Sequence, residues 1–177
     1  MELINLKRRV EQYKEVLNNT TSYREAWKSV LKQFILEQLK HLTEAIELSA
    51  DISVIEDTEN LEAIVLSLGD VKSGLSKSIG TSKIERPLVK HNGSLVYQQL
   101  FNGKIMVMLR SPMIEGYGEP QPPRQLAIYR PEEMTAPFFV RHLEELVKSV
   151  TAWEDYDDDN VPANEDQRIG FKLNFEK

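Results

Sequence analysis

The stretch Ser94-Leu-Val-Tyr-Gln-Gln-Leu-Phe-Asn-Gly-Lys-Ile-Met-Val-Met-Leu-Arg-Ser111 decides how the chain is read. Two runs rich in β-branched, aromatic and other apolar residues flank Asn102-Gly103, a strong short-range signal for a β-hairpin. A two-residue type I′ turn needs φ > 0 at both central positions, and Asn and Gly tolerate it. Such a turn sets Phe101 against Lys104, Leu100 against Ile105, Gln98 against Val107, Tyr97 against Met108 and Val96 against Leu109. One face then carries Val96, Leu100, Ile105, Val107 and Leu109 and belongs in a core. The other carries Tyr97, Gln99, Phe101, Lys104, Met106 and Met108 and is amphipathic.

Upstream, a second Asn-Gly at Asn92-Gly93 turns Pro87–His91 back onto Ser94–Phe101, extending the hairpin to a meander. Residues 69–86 are rich in Gly, Ser and Lys and read as a loop or an interrupted strand. Before them, Ile52–Glu56 and Leu61–Leu68 read as a strand pair joined by Asp57-Thr-Glu-Asn60. Ala63-Ile64-Val65-Leu66 is apolar on both sides, which places the second of these strands inside a sheet. Downstream, residues 111–123 form a long proline- and glycine-rich loop, and Arg124–Arg130 supplies another strand.

Two helical patterns precede the strands. Leu3, Leu6, Val10, Tyr13 and Leu17 recur at 3-4-3-4 spacing over residues 2–18. Asn18-Asn19-Thr20-Thr21 interrupts them, and Ser22-Tyr-Arg-Glu25 has the form of a capping box for a second helix reaching Ser49. An antiparallel helical hairpin covering the sheet follows from this reading. The alternative use of the first stripe is a coiled-coil surface, although five positions span only about two heptads. After the strands, Thr135 caps a helix from Ala136 to Trp153 whose core face is Phe139, Leu143, Leu146, Val147, Val150 and Trp153. Residues 154–167 are an acidic linker, and Arg168–Lys177 alternates with Ile169, Phe171, Leu173 and Phe175 on one side. The class is therefore α+β: an N-terminal helical hairpin, an antiparallel meander of about five strands and a C-terminal helix in residues 1–153. Residues 154–177 follow as a linker and terminal strand, suited to pairing with a partner or with the chain's own sheet.

Composition narrows the function classes. The chain has 177 residues, a net charge of −6 and no cysteine, so disulfides, thiol catalysis and zinc–thiolate sites are excluded. No apolar run approaches the ~20 residues of a membrane span, and the N-terminus lacks a secretory pattern; a cytoplasmic protein is expected. Overall acidity disfavours non-specific nucleic-acid binding. Five basic and twelve acidic residues fall in 131–177, so the negative excess lies at the C-terminal end. The basic segment 72–90 and the acidic run 154–159 are expected to attract each other.

No catalytic motif is present. His41, His91 and His142 fit no metal-ligand spacing, and no Gly-x-Ser-x-Gly elbow occurs. Gly74–Lys83 departs from a phosphate loop in its glycine spacing, leaving Lys72, Lys77 and Lys83 as a candidate anion site. Asp155, Asp157 and Asp159 match the first ligands of a calcium loop, but Asn160 and Asp166 replace the glycine and the bidentate glutamate. Two readings remain. One is a non-catalytic interaction or assembly module, without cofactor or metal, that binds a protein partner or a second copy through a sheet edge or the amphipathic ribbon face. Neither nucleic acid nor a membrane is its partner. The other is a small-molecule or anion-binding protein, or an enzyme, with a site between the 94–111 hairpin and the 111–123 loop. Tyr97, Phe101, Met106, Met108, Glu115, Tyr117 and Arg124 are its candidate contacts.

Overall fold

Residues 2–45 form one continuous helical rod, not a hairpin of two helices. In the computed structural model, which describes residues 2–81 and 84–156, α1 (Glu2–Ala26) runs through a π-helical turn at Trp27–Leu31 into α2 (Lys32–Ala45). The Lys32 N–H bonds to the Trp27 carbonyl, five residues back. Asn18-Asn19-Thr20-Thr21 contains neither glycine nor proline, so propensity alone does not stop the helix. Thr20 and Thr21 turn their hydroxyls onto the carbonyls of Val16 and Leu17, one turn earlier. Ser22 and Glu25 are thus mid-helix residues and cap nothing. Only the second half of the rod is packed: Trp27, Leu31, Ile35, Leu39 and Thr43 are buried at intervals of four.

The strands make two antiparallel sheets. β1 (Asp51–Ile55), β2 (Ala63–Ser67), β5 (Ser94–Gln99), β6 (Ile105–Arg110) and β8 (Arg124–Tyr129) form a five-stranded sheet in the order β1-β2-β5-β6-β8. β2 is an interior strand, as its apolar run requires. β3 (Asp70–Ser78), β4 (Glu85–His91) and the short β7 (Met113–Ile114) form the second sheet in the order β3-β4-β7. Asn92-Gly93 is therefore no hairpin turn. β4 pairs with β3, and β5 pairs with β2, so β2–β3 and β4–β5 are two sides of one long ribbon. The ribbon leaves the five-stranded sheet at Leu68-Gly69 and Asn92-Gly93, where Leu68 N–H bonds to Gly93 O and Asn92 N–H to Gly69 O. Beyond that junction it is an arm whose residues are nearly all exposed, interrupted by a register shift between Lys72 and Ser76.

The turn at Asn102-Gly103 is real, but its type differs from the expected one. Gly103 has φ +78°, whereas Asn102 does not enter the positive-φ region. Gly103 N–H bonds to Leu100 O and Leu100 N–H to Lys104 O, a three-residue loop with glycine at the left-handed position. The extra loop residue moves the register by one, pairing Gln99 with Ile105, Tyr97 with Val107 and Leu95 with Leu109. A slip of one exchanges the two faces of a strand. Tyr97 and Gln99 consequently lie in the core beside Ile105, Val107 and Leu109, and Val96 joins Met106 and Met108 on the opposite face.

One face of the five-stranded sheet is covered by α2 and by α3 (Ala136–Glu154). The core between them joins Trp27, Ile35 and Leu39 to Ile64, Leu66, Leu95 and Tyr97, with Phe139, Leu143 and Leu146 from α3. Burial of each such side chain contributes ~1.5–3 kcal/mol. Thr135 stands at the N-cap in an extended conformation, but its side chain makes no capping bond. On α3, His142 is buried where Val147 was expected, and Val147 is exposed. The class is α+β. The expected terminal strand, with Ile169, Phe171, Leu173 and Phe175, lies outside the described residues.

Candidate functional site

The exposed half of the N-terminal rod is the largest unsupported feature of the fold. Residues 3–18 are exposed throughout. Contact with the domain begins at Thr20 and Tyr23, where the helix passes over the 101–103 turn and Arg24 donates to Phe101 O at 2.6 Å. Trp27 Nε1 then donates to Glu62 Oε2 at 2.9 Å, and Lys32 pairs with the same carboxylate at 2.8 Å and with Glu56. Burial raises the Glu62 pKa, but the bonds from Lys32 and Trp27 outweigh it and hold the carboxyl below its ordinary range. Among the described residues the rod is thus fastened at one end only, and about 24 Å of helix N-terminal to the fastening packs against none of them. Its stripe is apolar: Leu3, Leu6, Val10, Tyr13 and Leu17 are 69, 59, 44, 63 and 49% exposed.

The β-arm is the second projection. Val71, Leu75, Ile79, Ile84 and Val89 are exposed along it. At its base His91 lies between two carboxylates, Nδ1 at 2.6 Å from Asp70 and Nε2 at 3.1 Å from Glu115. The bonds to Asp70 first, and to Glu115 second, raise its pKa and favour the imidazolium. Glu115 follows β7, so this ion pair ties the 111–123 loop to the arm. Lys90 from β4 pairs with Glu154 and lies 5.7 Å from the Trp153 ring centre, joining the basic segment to the start of the acidic run. Asp157, Asp158 and Asp159 lie outside the described residues. Between the arm and the loop is a cleft of about 460 Å³ lined by Lys77, Ile79, Arg86, Leu88, Glu115 and Gly116 among others. Lys77 and Arg86 sit directly opposite each other on the two strands. Neither makes an ion pair among the described residues.

The seven contacts expected between hairpin and loop do not converge. Tyr97 is in the core, its hydroxyl 3.0 Å from His142 Nδ1. Phe101 is at the exposed tip of the turn under the rod. Met106 and Met108 are half-buried on the uncovered sheet face, near Val65 and the exposed Ile128. Glu115 belongs to the His91 cluster, Tyr117 is exposed in the same loop, and Arg124 pairs with Glu145 of α3 at 3.0 Å. Lys72 and Lys77 are on the arm; Lys83 lies outside the described residues. Asp155 ends α3, while Asp157 and Asp159 are not described. Among the described residues, no group of three His, Cys, Asp or Glu side chains is placed to hold a metal ion.

Tyr97–His142–Tyr129 is a buried polar chain, with Tyr129 Oη 3.0 Å from His142 Nε2. Neutral imidazole has one donor and one acceptor nitrogen, which the two hydroxyls satisfy. Burial lowers the His142 pKa to about 4 and raises that of Tyr97. Tyr97 and Tyr129 pack under α3, which contributes His142 and Phe139, and this makes the chain a core element. The stripe at residues 3–17 was legible in the sequence, and its exposure was not. No helix among the described residues is long and apolar enough to cross a membrane. Set against protein-family models, curated proteins and solved structures, the chain matches none.

Proposed function

We propose that this chain is a non-catalytic protein-interaction module whose docking element is the projecting N-terminal helix, which captures a helix of its partner. One observation carries the reading: residues 3–18 form a helix with an apolar stripe that is exposed throughout and unpacked among the described residues. Isolated helices of this length are marginal in water, since nucleation is costly and their stability in proteins comes from packing an apolar face. Heptad spacing is the pattern that buries such a face against a second helix. The rod is the docking element in this reading, and the covered sheet and the Trp27–Glu62–Lys32 fastening hold it in place.

Hydrogen exchange of the full chain tests this, read at residues 3–17. Adding a synthetic peptide of about three heptads, with Leu at positions a and d and Gln at e and g, should slow exchange there. Raising the chain's own concentration is the parallel arm, and protection in either supports the module. Val10→Asp should abolish it. Exchange at residues 3–17 that is unchanged in both arms overturns the reading.

A second reading is favoured by the Lys77–Arg86 juxtaposition. Like charges directly opposite on paired strands repel, and an anion in the adjoining cleft would relieve that. Inorganic phosphate would then raise the melting temperature of the wild type and not that of Lys77→Ala/Arg86→Ala.

A further inference from the structure

The heptad frame that places Leu3, Val10 and Leu17 at position a and Leu6 and Tyr13 at position d also assigns the flanks of the stripe. Lys7 and Lys14 then occupy position e, and Arg9 and Val16 position g, while Ile4, Arg8, Glu11 and Glu15 fall on the far side of the helix. Glu2, in the first turn, is the lone acidic residue at a flanking position. Residues 7–14 are exposed. The apolar stripe is therefore bordered by cations within a chain whose net charge is −6.

We infer that the occupant of this stripe is a different protein: a helix with apolar a and d positions and Asp or Glu at e and g. This rests on the interaction reading above and adds the chemistry of the partner. A second copy gains nothing from these flanks. In a parallel pair, position g of one helix meets position e of the next heptad of the other, so Arg9 faces Lys14 twice and Glu2 faces Lys7 twice, two repulsions against two attractions. An antiparallel pair sets e against e and g against g: Lys7 meets Lys7 and Arg9 meets Arg9 when Val10 lies opposite Leu6, and Lys7 meets Lys14 when Val10 lies opposite Tyr13. Flanking charges select partners mainly by penalising the wrong ones, and here they give self-pairing no net gain. An acidic helix turns each of these repulsions into an attraction. The far side, where a membrane-surface helix would be basic, carries Glu11 and Glu15 against the single Arg8.

The test uses the full chain and two synthetic peptides of about three heptads, identical in Leu at a and d, with Glu at every e and g in one and Lys in the other. Fluorescence anisotropy should show the Glu peptide binding at least about tenfold more tightly than the Lys peptide. That preference should weaken between about 50 mM and about 300 mM salt, as flanking ion pairs are screened. Lys7→Glu/Arg9→Glu/Lys14→Glu should reverse the preference, and Val10→Asp should remove binding of both peptides. All four substitutions lie on the exposed segment, so an unchanged melting temperature confirms that the domain is intact. Equal binding of the two peptides overturns the inference and leaves the interaction reading standing. So does a dimer of the wild type in sedimentation equilibrium that Val10→Asp dissociates, since the occupant is then a second copy. Binding to phosphatidylserine-containing vesicles with neither peptide bound assigns the stripe to a lipid surface and overturns both. Failure to bind either peptide, the vesicles or a second copy also overturns both.

Discussion

A β-carbon added to Gly103 would lie 2.6 Å from the Tyr23 Cβ and 3.0 Å from the Arg24 backbone nitrogen. The residue also has φ +78°, so a side chain there is strained by its own backbone and by the rod above it. Gly103→Val should lower stability by roughly 2–4 kcal/mol in urea unfolding, from positive φ together with overpacking. Unchanged stability would show that the rod does not rest on this turn. His142 gives a second prediction at this scale. The unfolded chain takes up a histidine proton near pH ~6.5, whereas buried His142 takes one only near about 4. Its neutral form thus keeps stability intact above pH ~6.5, and stability falls as pH drops towards 4, by about 3 kcal/mol in all. His91 works in the opposite sense: its pKa is raised, so its contribution is present below the ordinary histidine pKa and lost as pH rises through the raised one. Comparing the urea midpoint from pH 7 to 4.5 in the wild type and in His142→Phe separates the two, because the steep acid loss should shrink in the variant. An identical pH slope would contradict a neutral buried imidazole.

At the scale of elements, the rod is two helices in behaviour though one in geometry. Trp27, Leu31, Ile35 and Leu39 tie its second half to the sheet, and among the described residues nothing supports residues 3–18 in the same way. Local stability follows burial. In the dilute chain without a partner, amides of residues 5–17 should exchange at least about a hundredfold faster than those of residues 35–43, measured by mass spectrometry after proteolysis. Equal protection would mean that something already covers the stripe. The strand elements show how far local signals reach. β1 and β2 were legible because a polar tetrapeptide separates two apolar runs. The Asn102-Gly103 turn was legible as a turn, but its loop length was set by the rod and by Leu100–Lys104 pairing. That single residue moved Tyr97 and Gln99 from the expected outer face into the core.

For the whole molecule, the two projections are separable from the core. β3 and β4 bury little beyond their junction with the five-stranded sheet, so the arm adds shape more than stability. Lys72 and Val89 face each other across the ribbon. Replacing residues 73–88 with Asn-Gly closes the ribbon there and should shift the melting temperature by no more than about 3 °C. A collapse of the melting transition would show the arm to be part of the core. Charge is distributed on the same plan. Lys90 joins the arm base to Glu154, and Arg124 joins β8 to Glu145, whereas Lys7, Arg9 and Lys14 beside the stripe make no ion pair among the described residues.

By itself the sequence determined the α+β class, the strand pair within residues 52–68, the C-terminal helix and the apolar stripe of residues 3–17. All of these follow from periodicity and turn chemistry acting over a few residues. Tertiary structure decided whether Asn18–Thr21 ended a helix, since nothing local forbade either outcome and packing of Trp27 and Arg24 carried the rod across the turn. It decided whether Asn92-Gly93 reversed the chain, because β4 found β3 and not β5 as its neighbour. It also decided which candidate residues met. A one-residue register shift exchanges the faces of a strand, and pairing between distant strands is not written in either strand alone.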